Sequence, residues 1–151
     1  MQVIDIRHAM PADLDQLLAM VQDLTRYHHD TPQVTAATLE RDVFGAVPWF
    51  QVLVAAEGAR LIGYAALLPL ARMGYGMRGA DLHHLFVVED QRSRGIGTTL
   101  IEAAVTLARE MACDYMIIGT HPANRAAQAY YAKLGFEVMP ATSVRFTKRL
   151  G

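Results

Sequence analysis

Apolar and polar positions recur along this chain with two different periods, and each change of period marks an element. Residues 3–6 alternate as a half-buried strand does, and Pro11 with Asp13 and Asp15 marks a helix start. Leu14, Leu17, Leu18, Val21 and Leu24 then recur at helical spacing. Thr35 is an N-cap candidate for a second helical run through Leu39, Val43 and Phe44, stopped by Gly45 and Pro48. Residues 50–56 and 61–70 are apolar runs joined by Glu57-Gly58-Ala59-Arg60, which predicts a hairpin, and Gly63 in the second run predicts a bulge or a close approach. A turn rich in glycine (Gly74, Gly76, Gly79) leads to a strand over residues 81–88, and Gly95 to Gly97 open a helix through Leu100, Ile101, Ala104, Leu107 and Ala108. A short strand over 115–118, a helix over 124–134 and closing strands over 136–138 and 144–146 complete the chain. The order β-α-α-β-β-β-α-β-α-β-β predicts an α/β protein with a mixed sheet.

Composition narrows the class. With 151 residues, 52% hydrophobic and 19% charged, the chain has the core of one globular domain spanning 1–151, with no repeat or polar linker to divide it. Fourteen Lys and Arg against fifteen Asp and Glu give a net charge of -1, which disfavours a nucleic-acid partner. The longest apolar run, residues 61–71, holds Gly63 and Pro69 and is too short to span a bilayer. Asp5, Arg7, Asp13 and Asp15 interrupt any leader-like stretch, so no membrane association and a cytoplasmic location are expected. The single cysteine, Cys113, forbids an intrachain disulfide and reads as a buried structural thiol. Adjacent histidines diverge on a strand, so the pairs His28-His29 and His83-His84 do not predict a metal site.

The chemistry concentrates in residues 85–97, an apolar strand, a basic turn and a helix opened by glycine. Free N–H groups at a helix N-terminus attract anions, and glycines let the backbone approach a phosphate. Arg92 and Arg94 add mobile positive charge; the bland alternative is an ordinary surface turn. Gly97 is followed by Thr98 and Thr99 rather than by lysine, so a Walker loop is excluded. Gly74-x-Gly76-x-x-Gly79 spells a dinucleotide pattern but lies between two strands, which makes it a hairpin turn.

Arg92-x-x-Gly95-x-Gly97 after the strand, together with Asn124 and Tyr130-Tyr131-Ala132-Lys133-Leu134-Gly135-Phe136, resembles the two signature segments of the GNAT superfamily of N-acetyltransferases. The resemblance runs from Ile6-Arg7 to the closing strands and implies that family's fold, a central mixed sheet flanked by about four helices. Thr25-Arg26-Tyr27, Phe44-Gly45, Trp49-Phe50 and Leu82-His83-His84-Leu85-Phe86-Val87 resemble the diamine (spermidine/spermine) branch. That branch typically places acidic residues where this chain has His28 and His83-His84, and neutral imidazoles would not attract a polyamine.

The resemblance implies transfer of an acetyl group from acetyl-CoA to a primary amine of a small molecule, diamine-like or amino-acid-like, by direct attack in a ternary complex. An antibiotic or protein amine, or a silent acyl-CoA-binding domain, is the alternative. Backbone groups of Leu85, Phe86 and Val87 would align the pantetheine arm and polarise the thioester carbonyl. Main-chain N–H groups of Arg92, Ser93, Arg94, Gly95, Ile96, Gly97 and Thr98 would hold the pyrophosphate, and Asn124 the pantetheine or the acetyl end. Tyr131 would be the general acid for the leaving thiolate, its alternative being core packing. His83, directly or through water, would be the base, with Tyr27, His28 and His84 facing the acceptor. His83 and His84 are expected on opposite strand faces, so that at most one lines the site. Asp30, Glu40 and Asp42 either help hold a cationic acceptor or are solvated. A homodimer is implied by the family alone.

Overall fold

The alternating segments pair into a five-stranded sheet in the computed structural model, which describes residues 3–151. The chain divides into two compact units, Met1–Gly119 and Thr120–Gly151.

In the first unit the sheet runs β1 (Ile4–His8), β2 (Gln51–Glu57), β3 (Arg60–Arg72), β4 (Met77–Val87), β5 (Tyr115–Ile118), in spatial as in sequence order. The first three pairings are antiparallel and β4 pairs β5 in parallel, so the sheet is mixed. Parallel neighbours need a crossover, and α3 (Ile96–Glu110) supplies it. The β2–β3 turn places Gly58 at φ +61, and the β3–β4 turn places Gly76 at φ +63. The glycine triplet is therefore a hairpin, as its setting between strands predicts.

Both faces of the central strands are covered, which is why β2 and β3 read as continuous apolar runs. On one face, Leu17, Met20 and Leu24 of α1 (Leu14–Tyr27) and Leu39 of α2 (Ala36–Phe44) bury against Val52, Val54, Tyr64, Ala66 and Phe86. Against α3 lie Gly63 and its strand neighbours, with Leu100, Ile101, Ala104, Leu107 and Ala108 of the helix buried. Thr35 caps α2, its side chain accepting from the Thr38 amide at 3.1 Å. At the junction of β1 and α1, Asp13 is 6% exposed and accepts two hydrogen bonds from Arg7, at 2.7 and 3.0 Å, and one from the Met10 amide at 2.7 Å. The Arg7 guanidinium holds the Asp13 carboxyl below the usual carboxylate range, against the opposing effect of burial.

Two register shifts bend the sheet. Ala55 faces Gly63 while Ala56 faces Leu61, leaving Ile62 as an extra residue of β3. Ala66 faces His84 while Leu67 faces Leu82, leaving His83 as an extra residue of β4. Each shift is a bulge.

The second unit holds α4 (Arg125–Lys133), capped by the Asn124 side chain, which accepts from the Ala127 amide at 3.1 Å. It ends where Gly135, at φ +93, lets the Phe136 amide reach back to the Tyr131 carbonyl at 3.1 Å. The closing strands expected over 136–138 and 144–146 are not formed: residues 134–151 carry no helix or strand. Strand preference acts only through a pairing edge and a face to bury, and here Val138, Val144 and Phe146 remain exposed.

Candidate active site

A cleft of about 520 Å3, counted to its solvent-open mouth, opens in the first unit among α1, α2 and strands β2 to β4. Its walls are apolar, from residues such as Val21, Leu39, Val43, Phe50 and Val52, and its polar groups are Thr38, Asp42, Tyr64, His83 and His84. Apolar walls with a few convergent polar groups fit a small-molecule site. Asp42 is the sole carboxylate of the lining, and Arg41 engages it through two hydrogen bonds at 2.8 and 3.0 Å, lowering its pKa. Asp30 and Glu40, the other acidic candidates, are exposed and do not line the cleft.

The bulge decides the histidines. On a regular strand their side chains would point to opposite faces; the extra residue instead brings both to the cleft, rings stacked at 4.6 Å and 11°. The expectation that at most one lines the site is corrected on that ground. His83 is 45% exposed at the side chain, 3.7 Å from the Asp81 carboxylate, with its ring 5.4 Å from that of Phe50. His84 is more deeply set, and its Nδ1 lies 3.0 Å from the Tyr64 hydroxyl. Burial, then the neighbouring His83 and His28, push the His84 imidazole down to about 4. Tyr64 is 1% exposed and burial raises its phenol, so it stays protonated.

Beside the histidines, β4 has an open edge. Its pairing with β5 covers Gly79 to Leu82 only, so on that side Leu85, Phe86 and Val87 face no strand among the described residues. The turn that follows carries Ser93 at φ +66 and Gly95 at φ +76, and Gly95 is the N-cap residue of α3. A Cβ at Gly95 would meet nothing, and one at Gly97 would meet only a Val87 methyl at 4.0 Å. Left-handed residues followed by the first turn of a helix aim backbone N–H groups at one point, an arrangement suited to phosphate. This edge and turn fit the thioester arm and pyrophosphate of an acyl-CoA.

The arginines of the turn are not the mobile charges that the sequence suggests. Arg92 Nε donates to the Val87 carbonyl at 2.9 Å, and its guanidinium lies 5.4 Å from the Tyr27 ring centre and 5.7 Å from that of Phe86. Arg94 binds Gln91 and, at 3.0 Å, Glu57. Tyr27 and His28 sit exposed at the C-terminal end of α1. Cys113 is half-buried rather than fully buried.

In the second unit, Asn124 opens α4 with its side-chain oxygen committed to the cap. Tyr131 is half-buried, 6.1 Å from Phe136 edge to face and 5.8 Å from Tyr130. Burial, then Tyr130, raise its phenol, which keeps it a proton donor at neutral pH. Tyr64 and Asp81 are site residues that the sequence reading passed over. For Tyr64 a signal existed, since a phenol inside a buried apolar run must find a polar partner.

A mixed sheet with an open β4 edge running into a helix start held by glycine defines an acyl-CoA-dependent transferase fold. The family model described as Acetyltransferase (GNAT) family matches residues 16–136, and the chain belongs to that family and is an acetyltransferase. It is 31% identical over 153 residues to the L-methionine sulfoximine/L-methionine sulfone acetyltransferase of Pseudomonas aeruginosa, covering 96% of this chain and 88% of the relative. It is 25% identical over 145 residues to the thialysine N-epsilon-acetyltransferase of Bos taurus, covering 89% and 85%. Among solved structures, an aminoglycoside N-acetyltransferase in complex with CoA matches with a TM-score of 0.80 at 21% identity over 99% of this chain and 97% of the other, a likeness of fold.

Proposed function

We propose that this acetyltransferase moves the acetyl group of acetyl-CoA to a primary amine of a small molecule in a ternary complex. The observation that carries the reading is the β4 bulge, which brings His83 and His84 to an apolar cleft directly before the open edge at residues 85–87. Acetyl-CoA supplies the acetyl thioester. Backbone groups of Leu85, Phe86 and Val87 orient the pantetheine arm, and an amide there donates to the thioester carbonyl oxygen. Backbone N–H groups of residues 92–98 hold the pyrophosphate.

His83, with the Asp81 carboxylate 3.7 Å from its Nδ1, takes the proton that an ammonium must lose before its lone pair can attack. As the C–N bond forms and the C–S bond breaks, Tyr131 gives its proton to the departing sulfur. Tyr27, His28 and His84 contact the acceptor, and Asn124, beyond its capping role, retains an amide N–H for the pantetheine. Two relatives named for acting on small amines support this acceptor class, and the fold neighbour named for aminoglycosides favours an antibiotic amine as the second reading.

One family model spanning 16–136 supports a single-domain organisation over 1–151. The family resemblance implies a homodimer, and the single Cys113 fits a reducing, cytoplasmic compartment; among the described residues no helix is long and apolar enough to cross a membrane. The near-neutral net charge of -1 favours a small acceptor over a nucleic acid. The test is thiol release from acetyl-CoA across an amine panel. Release that depends on the amine, lowered about 100-fold by Tyr131→Phe, is expected; release unchanged by Tyr131→Phe removes the general-acid assignment, and binding of acetyl-CoA without turnover of any amine leaves a silent binding domain.

A further inference from the structure

Tyr64 and His84 form a pair whose hydrogen-bond polarity is fixed by burial. The hydroxyl of Tyr64 is enclosed, and His84 Nδ1, at 3.0 Å, is its hydrogen-bond partner. Were Nδ1 to carry the proton, it would donate to the phenol oxygen and leave the phenol O–H with nothing to donate to, at a cost that buried donors avoid. The satisfied arrangement has Tyr64 donating to Nδ1, which puts the imidazole proton on Nε2. The surroundings keep the ring in that neutral form: the buried setting, His83 stacked at 4.6 Å and His28 all oppose a second proton, the Asp81 carboxylate lies against His83, and Asp42, the one carboxylate among the lining residues, is engaged by Arg41. His84 therefore has no free lone pair with which to act as a base.

We infer that the Tyr64–His84 pair is a fixed, uncharged N–H donor in the acceptor cleft, and that the preferred acceptor is an amine carrying an oxygen that accepts a hydrogen bond, such as a carboxylate, amide or sulfonyl oxygen, on an otherwise apolar body. The inference rests on the acetyltransferase reading and names the substrate class of that same cleft. A polyamine has only ammonium donors to offer the His84 N–H, and Asp42, the one carboxylate among the lining residues, is already held by Arg41. Tyr64 is here a positioning residue, acting through His84.

The experiment compares kcat/KM for three primary amines of similar length: hexylamine, 1,5-diaminopentane and 5-aminopentanamide. The amide is expected to exceed both others by about tenfold or more, chiefly through KM, which is the order of discrimination one matched hydrogen bond gives. Tyr64→Phe is expected to reduce that preference at least threefold. Nitrogen-15 spectra of the His84 ring should show Nε2 protonated and Nδ1 bare between pH 6 and 8 in the wild type. Preference for the diamine or for hexylamine overturns the inference alone, as does a ring protonated at Nδ1; absence of turnover with all three amines overturns the acetyltransferase reading and this inference with it.

Discussion

Replacing Gly63 by alanine probes the strand that sets the whole site. Gly63 lies on β3 opposite Val87, next to the Ile62 bulge, and a Cβ there would stand 2.7 Å from the Phe86 carbonyl oxygen, 3.2 Å from Leu100 Cδ1 and 3.5 Å from Val87 Cα. The leucine methyl can rotate away, but the carbonyl belongs to a paired strand and can yield only if β3 and β4 part by roughly half an ångström. Overpacking of this kind costs about 2 kcal/mol. For a chain of 151 residues each kcal/mol moves Tm by about 3 °C, so a fall of about 6 °C is expected by calorimetry or circular dichroism. Since the displaced backbone is that of Phe86 and Val87, KM for acetyl-CoA should rise several-fold as well. Gly74→Ala, where a Cβ would meet nothing within 4 Å, is the control and should leave Tm unchanged. A Gly63→Ala protein that melts within about 1 °C of wild type would refute the close-approach argument.

Two further outcomes follow from the same geometry. His83→Ala should lower kcat/KM about 100-fold, because the residue that takes up the amine proton is gone; kcat/KM unchanged from wild type would remove His83 as the base. Asp13→Asn should destabilise the fold by about 2 kcal/mol near neutral pH, since it removes the carboxylate to which the partly exposed Arg7 guanidinium donates two hydrogen bonds. The folded carboxyl of Asp13 lies below its ordinary value, so its contribution is complete above the unfolded pKa of about 4 and is lost as pH falls through the folded one. Denaturant melts of wild type and variant should therefore draw together as pH falls below about 4; a difference that does not shrink with falling pH would refute the ion-pair account.

The periods of the chain carried much of the fold. Leu17, Met20 and Leu24 on one helical stripe, Thr35 as a cap, and a glycine turn between strands all act through local physics, so their elements could be read before any tertiary contact was known. Gly63 was legible as a bulge or a close approach, and it is next to one and makes the other. The closing strands were not, because alternation in residues 136–138 and 144–146 becomes a strand only where an edge receives it.

The glycine-opened helix after an apolar strand was legible from the sequence by itself, since φ above zero at Gly95 and a helix start behind it follow from residue type and position. What surrounds that turn was decided by the tertiary structure. Arg94 is tied to Glu57, far away in sequence, and Asp42 lines the cleft yet is held by Arg41. Above all, the pairing register of β3 with β4 placed one extra residue at His83, and that shift brought two neighbouring imidazoles to one cleft and seated His84 against Tyr64. A strand's own sequence fixes the alternation of its side chains, whereas a bulge belongs to the pairing of two strands and exists only once they meet.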